Sequence, residues 1–386
     1  MHVIQTVSFP GLGLGPFTLD RVAFTLFGKP IYWYGILIAA AFLAAIGYIL
    51  KRCRRFGLDN DRAMDVIFGA VILGIIGARI YYVVFSWEDY RNNLADIFKI
   101  WNGGIAIYGG IIGGIIGGWL VCKFRKLPFL PMADVSLTGV ILAQAIGRWG
   151  NFVNVEAFGR ATDLPWRMSS PQAAQYLLNT QQISPDTAMQ IAGGGLGVHP
   201  TFFYESVWCL LGFVLLVLLT SRRRFDGQLT LTYCAWYGAG RSVIEGLRTD
   251  SLYWGSVRVS QMLALILVAV SVLLLIWCFS RLHGENPPAF LRLYVDTPEG
   301  RAVLHGQPAS PEEELVSENA EGESPDAAGL QGDTAEENPQ PETEEVRTGD
   351  LQPDSLEDSP AEQPHGTQTA VSPDETDEKT PPQPIA

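Results

Sequence analysis

The densest run of groups able to do chemistry is Gly147, Arg148, Trp149, Gly150, Asn151, Phe152, Val153, Asn154, Val155, Glu156, Ala157, Phe158 and Gly159. It sets a cation, two amides and a carboxylate beside the end of an apolar stretch. Taken alone, the run fits an interfacial helix end, with Arg148 snorkelling its charge to lipid headgroups and the amides capping backbone. A second set weakens that reading. Tyr237, Arg241, Glu245 and Arg248 follow at spacings of four, four and three, so one helix face carries them all. Guanidinium supplies planar, paired donors, and Arg148 and Arg241 brought together from two helices form a phosphate clamp.

Such side chains must be positioned by membrane helices. Of 386 residues, 48% are hydrophobic, yet the formal net charge is -13. The two properties sit in different places. From Pro311 onward there are 22 acidic side chains against Arg347 and Lys379, so the rest of the chain is basic. A hydrocarbon core about 30 Å thick needs about 20 mainly apolar helical residues to cross it. Seven stretches approach this: Ile31 to Leu50, Val66 to Phe85, Ile105 to Val121, Ala133 to Ile146, Phe203 to Thr220, Leu229 to Ile244 and Val257 to Cys278. The fourth is the weakest, being short and containing Asp134 and Gln144. The expected fold is an all-α polytopic membrane protein with a small extracytoplasmic head.

Basic groups follow the first span (Lys51, Arg52, Arg54, Arg55), the third (Lys123, Arg125, Lys126), the fifth (Arg222 to Arg224) and the seventh (Arg281). Short basic loops stay cytoplasmic, so the amino terminus is expected outside and the carboxyl terminus inside. Residues 1–30 then form an extracytoplasmic segment, 31–283 a seven-span membrane domain with its head at about 150–202, and 284–386 a disordered acidic cytoplasmic tail. The tail is too polar to bury enough apolar surface to offset its chain entropy. No basic start followed by an apolar core marks a secretory signal, and the first span is expected to direct insertion. Cys53, Cys122, Cys209, Cys234 and Cys278 show no pairing or metal-ligand pattern. Gly109, Gly113 and Gly117, with Gly110, Gly114 and Gly118 on the next register, match close helix packing in lipid rather than a nucleotide loop.

Polar groups inside spans are costly and mark cavities. Tyr34, Arg79, Tyr108, Arg148, Tyr204, Glu205, Arg241 and Glu245 all fall toward the outer ends of their spans. The run 147–159 resembles the signature G-R-x-G-N-F-x-N-x-E-x-x-G of the prolipoprotein diacylglyceryl transferase family throughout. Further matching pieces follow in the family's order: YWYGIL at 32–37, GARIYYV at 77–83, WNGG at 101–104, HPTFFYE at 199–205, YGAGRSVIEGLR at 237–248, and Ser260 with Gln261. The resemblance covers roughly Pro30 to Ser280.

What it implies is an enzyme of the bacterial cytoplasmic membrane that uses no metal or redox cofactor. Its substrates would be phosphatidylglycerol from the lipid bilayer and a prolipoprotein signal peptide with a lipobox cysteine; nucleic acid is not among the expected partners. The sn-1,2-diacylglyceryl group would pass to the thiol, forming a thioether and releasing glycerol-1-phosphate. Arg148 and Arg241 would hold the phosphate, Asn151 and Asn154 orient headgroup oxygens, and Gly159 permit a tight turn. Tyr34 would line the lipid interface, or belong to an ordinary aromatic belt. Glu245 would pair with Arg241 or Arg248. Some relatives carry histidine where this chain has Tyr108, and tyrosine, with a pKa of about 10, is a poor base but a good orienting donor. The proton acceptor is left open among Glu156, His199 and the lipid phosphate, and His199 also fits a backbone-capping loop residue. A transporter of anionic lipid and a lipid-binding scaffold are the competing classes; no inverted repeat or pair of broken helices supports the first, and the second leaves the complete signature unexplained.

Overall fold

The computed structural model describes residues 4–249, 253–254, 257–284 and 288–306. Two antiparallel hairpins come first, β1 (Ile4–Phe9) with β2 (Leu14–Asp20) and β3 (Val22–Leu26) with β4 (Lys29–Tyr32). Helices α1 (Trp33–Arg52), α2 (Asn60–Phe85), the single turn α3 (Trp87–Tyr90), α4 (Ile107–Phe124) and α5 (Phe129–Asn154) follow. The head contains the bridge pair β5 (Ala161–Thr162) and β6 (Gly197–Val198), with α6 (Pro171–Asn179) and α7 (Pro185–Ala192) between them. The chain then returns through α8 (Thr201–Thr220), α9 (Gln228–Leu247), the pair β7 (Tyr253–Trp254) and β8 (Val257–Arg258), α10 (Val259–Leu282) and the short α11 (Pro298–Leu304).

Among the described residues, six helices, α1, α2, α4, α5, α8 and α10, are long and apolar enough to cross a membrane. The sequence reading expected seven spans. The difference is α9, as long as α1 but interrupted by Gln228, Tyr233, Tyr237, Arg241, Ser242 and Glu245, which are buried or half-buried against α5, α8 and α10. Its composition is that of an interior helix, so apolarity alone does not count it among the spans although it runs the length of its neighbours. The stretch at Ala133 to Ile146, expected to be the shortest, lies within a 26-residue helix that takes in most of the signature. Asp134 accepts three bonds from the start of α9 and Gln144 Nε2 donates to Tyr233 OH at 3.0 Å, so neither ends the helix.

Helix α5 is the hub, packing against α1, α8 and α9, while α2 and α4 form a second pair. The α2/α4 contact rests on the glycines that the sequence reading assigned to packing. Gly109, Gly113 and Gly117 are buried, and a Cβ at Gly77 would stand 2.5 Å from the Gly109 carbonyl oxygen. Only hydrogen at these positions lets the backbones meet. Between the pair, Arg79 is 7% exposed and donates to the carbonyls of Asp96, Ile97, Gly103 and Gly104 at 2.6–2.8 Å. Its charge is neutralised by peptide dipoles of the loop from α3 to α4.

Two boundaries move. Residues 4–30 are folded: Ser8 and Ser169 exchange backbone hydrogen bonds of 2.9 and 2.8 Å, and Val7 enters the head core beside Met168, Leu177 and Ile191. The head is therefore built from 4–20 together with the segment after α5. At the opposite end, residues 288–306 are folded rather than part of a tail beginning at 284. Gly57, at φ 72°, lies so close to Gly300 that a Cβ would reach its Cα at 2.8 Å. Tyr294 N–H donates to Asp226 Oδ2 at 2.7 Å. The acidic stretch 307–386 lies outside the described residues.

Burial of Asp226 pushes its carboxyl up to about 6, against a tyrosine amide and Arg223 that pull the other way. A carboxyl raised in the docked state favours docking when protonated. The contribution is complete below the free value near 4 and is lost as pH rises through about 6. Hydrogen exchange corrected for intrinsic rate should show residues 294–304 better protected at pH 4.5 than at pH 7.5. Asp226→Asn should flatten that difference, and an equal slope in the variant would rule Asp226 out as its source.

Candidate functional site

The two arginines singled out in the sequence reach one level because α5 and α9 run in the same direction from a shared anchor. Asp134 of α5 is fully buried and accepts from Gly227 N–H at 2.9 Å, Thr230 N–H at 2.7 Å and the Thr230 hydroxyl at 2.7 Å. It thereby caps the first turn of α9, where unpaired N–H groups and the helix dipole favour a carboxylate. From this anchor Arg148 lies 14 residues along one helix and Arg241 lies 14 residues from Gly227 along the other. At 1.5 Å per residue both climb about 21 Å.

Helix α8 descends between them and is locked to each. Trp149 donates to Ser206 Oγ at 3.2 Å, and Ser206 donates to the Ala145 carbonyl at 2.8 Å. The indoles of Trp208 and Trp236 stack at 4.3 Å and donate reciprocally to each other's carbonyls at 2.9 and 3.0 Å. Gly212 and Gly240 leave room for those rings.

This arrangement delivers Glu205, 2% exposed, between the cations. Arg148 Nη2 donates to Glu205 Oε1 at 2.5 Å, Arg241 Nη1 to Oε2 at 3.3 Å, and Tyr237 OH to Oε1 at 3.3 Å. Arg241 Nη2 also meets Glu245 Oε2 at 2.5 Å. Glu205 is legible in the sequence as a polar opener of its span, but nothing local shows that 57 residues after Arg148 a carboxylate returns to it.

Arg148 Nη1 reaches Asn151 Oδ1 at 3.4 Å, and the amides of Asn151 and Asn154 both donate to Glu156 Oε1, at 2.9 and 3.3 Å. Arg21 fixes the Asn154 carbonyl at 2.9 Å. Tyr34 packs on Gly150, where a Cβ would lie 2.8 Å from its ring. The turn after α5 is made by Val155 and Ala157, at φ 50° and 55°, and not by Gly159 as expected. Gly159 is instead a crossing point. Its N–H donates to the His199 carbonyl at 2.9 Å, and a Cβ would lie 2.7 Å from His199 Cβ and 3.0 Å from the Leu247 carbonyl oxygen. With Arg160 N–H on Leu247 O at 2.9 Å and Thr201 Oγ1 on Ala157 O, this strip ties the start of α8 to the end of α9.

Three residues are not brought into the arginine cluster. His199 Nδ1 meets Tyr204 OH at 3.3 Å, and burial holds its pKa below the ordinary value. Tyr108 OH pairs with Ser260 Oγ at 3.0 Å, bridging α4 and α10. Arg79 belongs to its own loop. Among the described residues, no group of three His, Cys, Asp or Glu side chains is placed to hold a metal ion. What the cluster can do is present two guanidinium groups, each with N–H donors beyond those named, to an anion beside amides and a carboxylate.

A sequence profile of prolipoprotein diacylglyceryl transferases matches residues 21–277. Among curated proteins, a phosphatidylglycerol--prolipoprotein diacylglyceryl transferase of Listeria welshimeri is 40% identical over 280 residues, covering 72% of this chain and 96% of the relative. Proteins of the same name from Clostridioides difficile and Finegoldia magna are 44% and 41% identical, over 64% and 66% of this chain and 91% and 94% of their own.

Glu205 is the joint whose loss leaves two cations facing each other. Removing one member of a buried ion pair costs about 3–5 kcal/mol. Glu205→Gln, which keeps the shape and loses the charge, should lower the detergent-solubilised protein's unfolding free energy by about 3 kcal/mol. An unchanged thermal midpoint would show that the cations do not depend on it.

Proposed function

The chain belongs to the prolipoprotein diacylglyceryl transferase family, and from that premise we propose that Arg148 and Arg241 grip phosphatidylglycerol while its diacylglyceryl group passes to a prolipoprotein thiol. The reaction moves the sn-1,2-diacylglyceryl group onto the lipobox cysteine, the first step of lipoprotein maturation. The observation that carries the site assignment is the convergence of guanidinium groups from α5 and α9 on the buried carboxylate of Glu205.

Chemically, the cysteine sulfur forms a bond to the glycerol carbon that bears the phosphate. The carbon–oxygen bond to phosphate breaks, its electron pair leaves with glycerol-1-phosphate, and the thiol proton is released. Negative charge therefore gathers on the phosphate as the bond opens. Fixed donors aimed at that charge stabilise the transition state without reorganising. Glu205 acts as a template, holding both guanidinium planes in register while the lipid is absent. Asn151 and Asn154 orient the headgroup oxygens, Tyr34 walls the lipid side, and Glu245 steadies Arg241. Gly159 serves the site by letting the strip cross beneath His199.

A free thiol has a pKa of about 8.5, so it needs an acceptor. The placement of Glu156 beside Asn151 favours it, or the lipid phosphate, over His199, which faces Tyr204. Tyr108 takes an orienting role through Ser260. The protein lies in the bacterial cytoplasmic membrane with the head and both arginines toward the outer leaflet, the amino terminus outside and the carboxyl terminus inside. Support comes from the basic residues after α1, α4, α8 and α10, exemplified by Arg223 donating to Arg55 O at 2.8 Å and Arg125 pairing with Asp65 at 2.5 Å, at the end away from the head.

Purified protein given phosphatidylglycerol and a lipobox peptide should yield a diacylglyceryl thioether and glycerol phosphate without added ATP or metal. No product from folded, lipid-supplied protein would sink the reading. Arg148→Ala should reduce turnover by about 10²-fold or more, the scale of a lost transition-state donor, with insertion and folding retained. Arg148→Lys should recover little, since an ammonium cannot give the planar pair. Near-normal turnover in Arg148→Ala would remove that residue from the phosphate site.

A further inference from the structure

The β3–β4 hairpin pairs Leu26 with Lys29 and turns through Phe27 and Gly28. Both lie at positive φ, 48° and 75°. A two-residue turn with both residues left-handed is of type I′, whose first position favours asparagine, aspartate or glycine because a larger L residue crowds its own carbonyl. Phenylalanine here works against the local backbone preference. Its ring gains nothing from the rest of the protein, since Phe27 is 96% exposed. Phe24 and Leu26, on one face of the same strand, are also exposed. A disfavoured conformation kept to display an apolar ring points to something outside the chain that covers the ring.

The hairpin's surroundings say what that is. β4 ends at Tyr32 and the membrane helix α1 begins at Trp33, whose N–H donates to the Arg21 carbonyl at 3.0 Å. Tyr32, Trp33 and Tyr34 are exposed at this junction, the residue types that sit at a membrane–water boundary. Lys29, beside the turn, is exposed and long enough to reach a phosphate. The hairpin's apolar side chains therefore stand on the element that leads directly into the aromatic start of a membrane helix.

A second feature on the same end repeats the pattern independently. Arg79 clamps the loop between α3 and α4 by four carbonyls, and its guanidinium lies 5.1 Å from the Tyr90 ring. So fixed, the loop turns Leu94, Phe98, Ile100 and Trp101 outward, with Phe98 78% and Trp101 76% exposed. Side chains this fully exposed suit a deformable lipid surface, which can wrap each of them.

We propose that the Phe27 hairpin and the Arg79-pinned loop are two apolar prongs that enter the headgroup–acyl boundary of the leaflet on the head's side and set the depth at which the site meets lipid. Full-length Phe27→Cys, labelled with an environment-sensitive dye in phosphatidylcholine–phosphatidylglycerol nanodiscs, tests this. The native cysteines are buried or half-buried, and unmodified protein corrects for their labelling. Emission should be blue-shifted, quenched at least twofold by lipids carrying a nitroxide near the headgroup, and protected from aqueous iodide; a label at Trp101→Cys should behave alike. Iodide quenching without nitroxide quenching overturns the proposal. So does protection that appears only on adding a signal peptide, which would make the peptide the occupant. Phe27→Asn, suited to the turn, should leave the thermal midpoint equal or higher while a label at Leu26→Cys loses half its nitroxide quenching. A lowered midpoint would make the ring structural and also overturn the idea.

Discussion

A carboxylate almost wholly withdrawn from solvent between two guanidinium groups is the interaction on which the rest of this structure depends. Glu205 is expensive to desolvate, and the cations around it are what make its position tenable. They in turn lie near the same level only because Asp134, buried on α5, caps α9 and fixes the register of those parallel helices. One acidic side chain thus aligns two helices, and another collects the arginines they carry. The reciprocal tryptophan bonds between α8 and α9 keep the carboxylate from sliding along the bundle.

The head completes this arrangement from above. The strip Ala157–Arg160 stitches the start of α8 to the end of α9 through backbone bonds. It can do so because Val155 and Ala157 accept left-handed conformations and because Gly159 has no side chain to strike His199. The signature is thus half helix and half strap: Arg148, Asn151 and Asn154 project from the last turns of α5, while the remainder closes the frame. On the proposed function, a site built on rigid elements in this way limits the reorganisation needed when phosphate charge develops.

The same economy of buried polarity runs through the rest of the bundle. Arg79 is neutralised by four peptide carbonyls, Asp134 by a helix terminus and Glu205 by guanidinium. Each buried charge fixes a piece of backbone that apolar packing alone would leave free to slide. In α9 the concentration of such groups makes the helix too polar to count as a lipid-facing span, which is why hydropathy and packing disagree about it.

The sequence by itself determined the membrane class, the spans with long apolar runs, the glycine face of α4 and the two arginine-bearing motifs, because periodicity and composition are local properties. It also brought the signature to notice as a unit. Only tertiary structure decided that α5 extends through most of that signature, that Glu205 joins Arg148 to Arg241, and that His199 and Tyr108 face Tyr204 and Ser260 instead. It likewise decided that residues 4–20 complete the head and that 288–306 are folded. These outcomes depend on contacts between segments tens to hundreds of residues apart, and on which neighbour satisfies each buried polar group. No window along the chain contains that information.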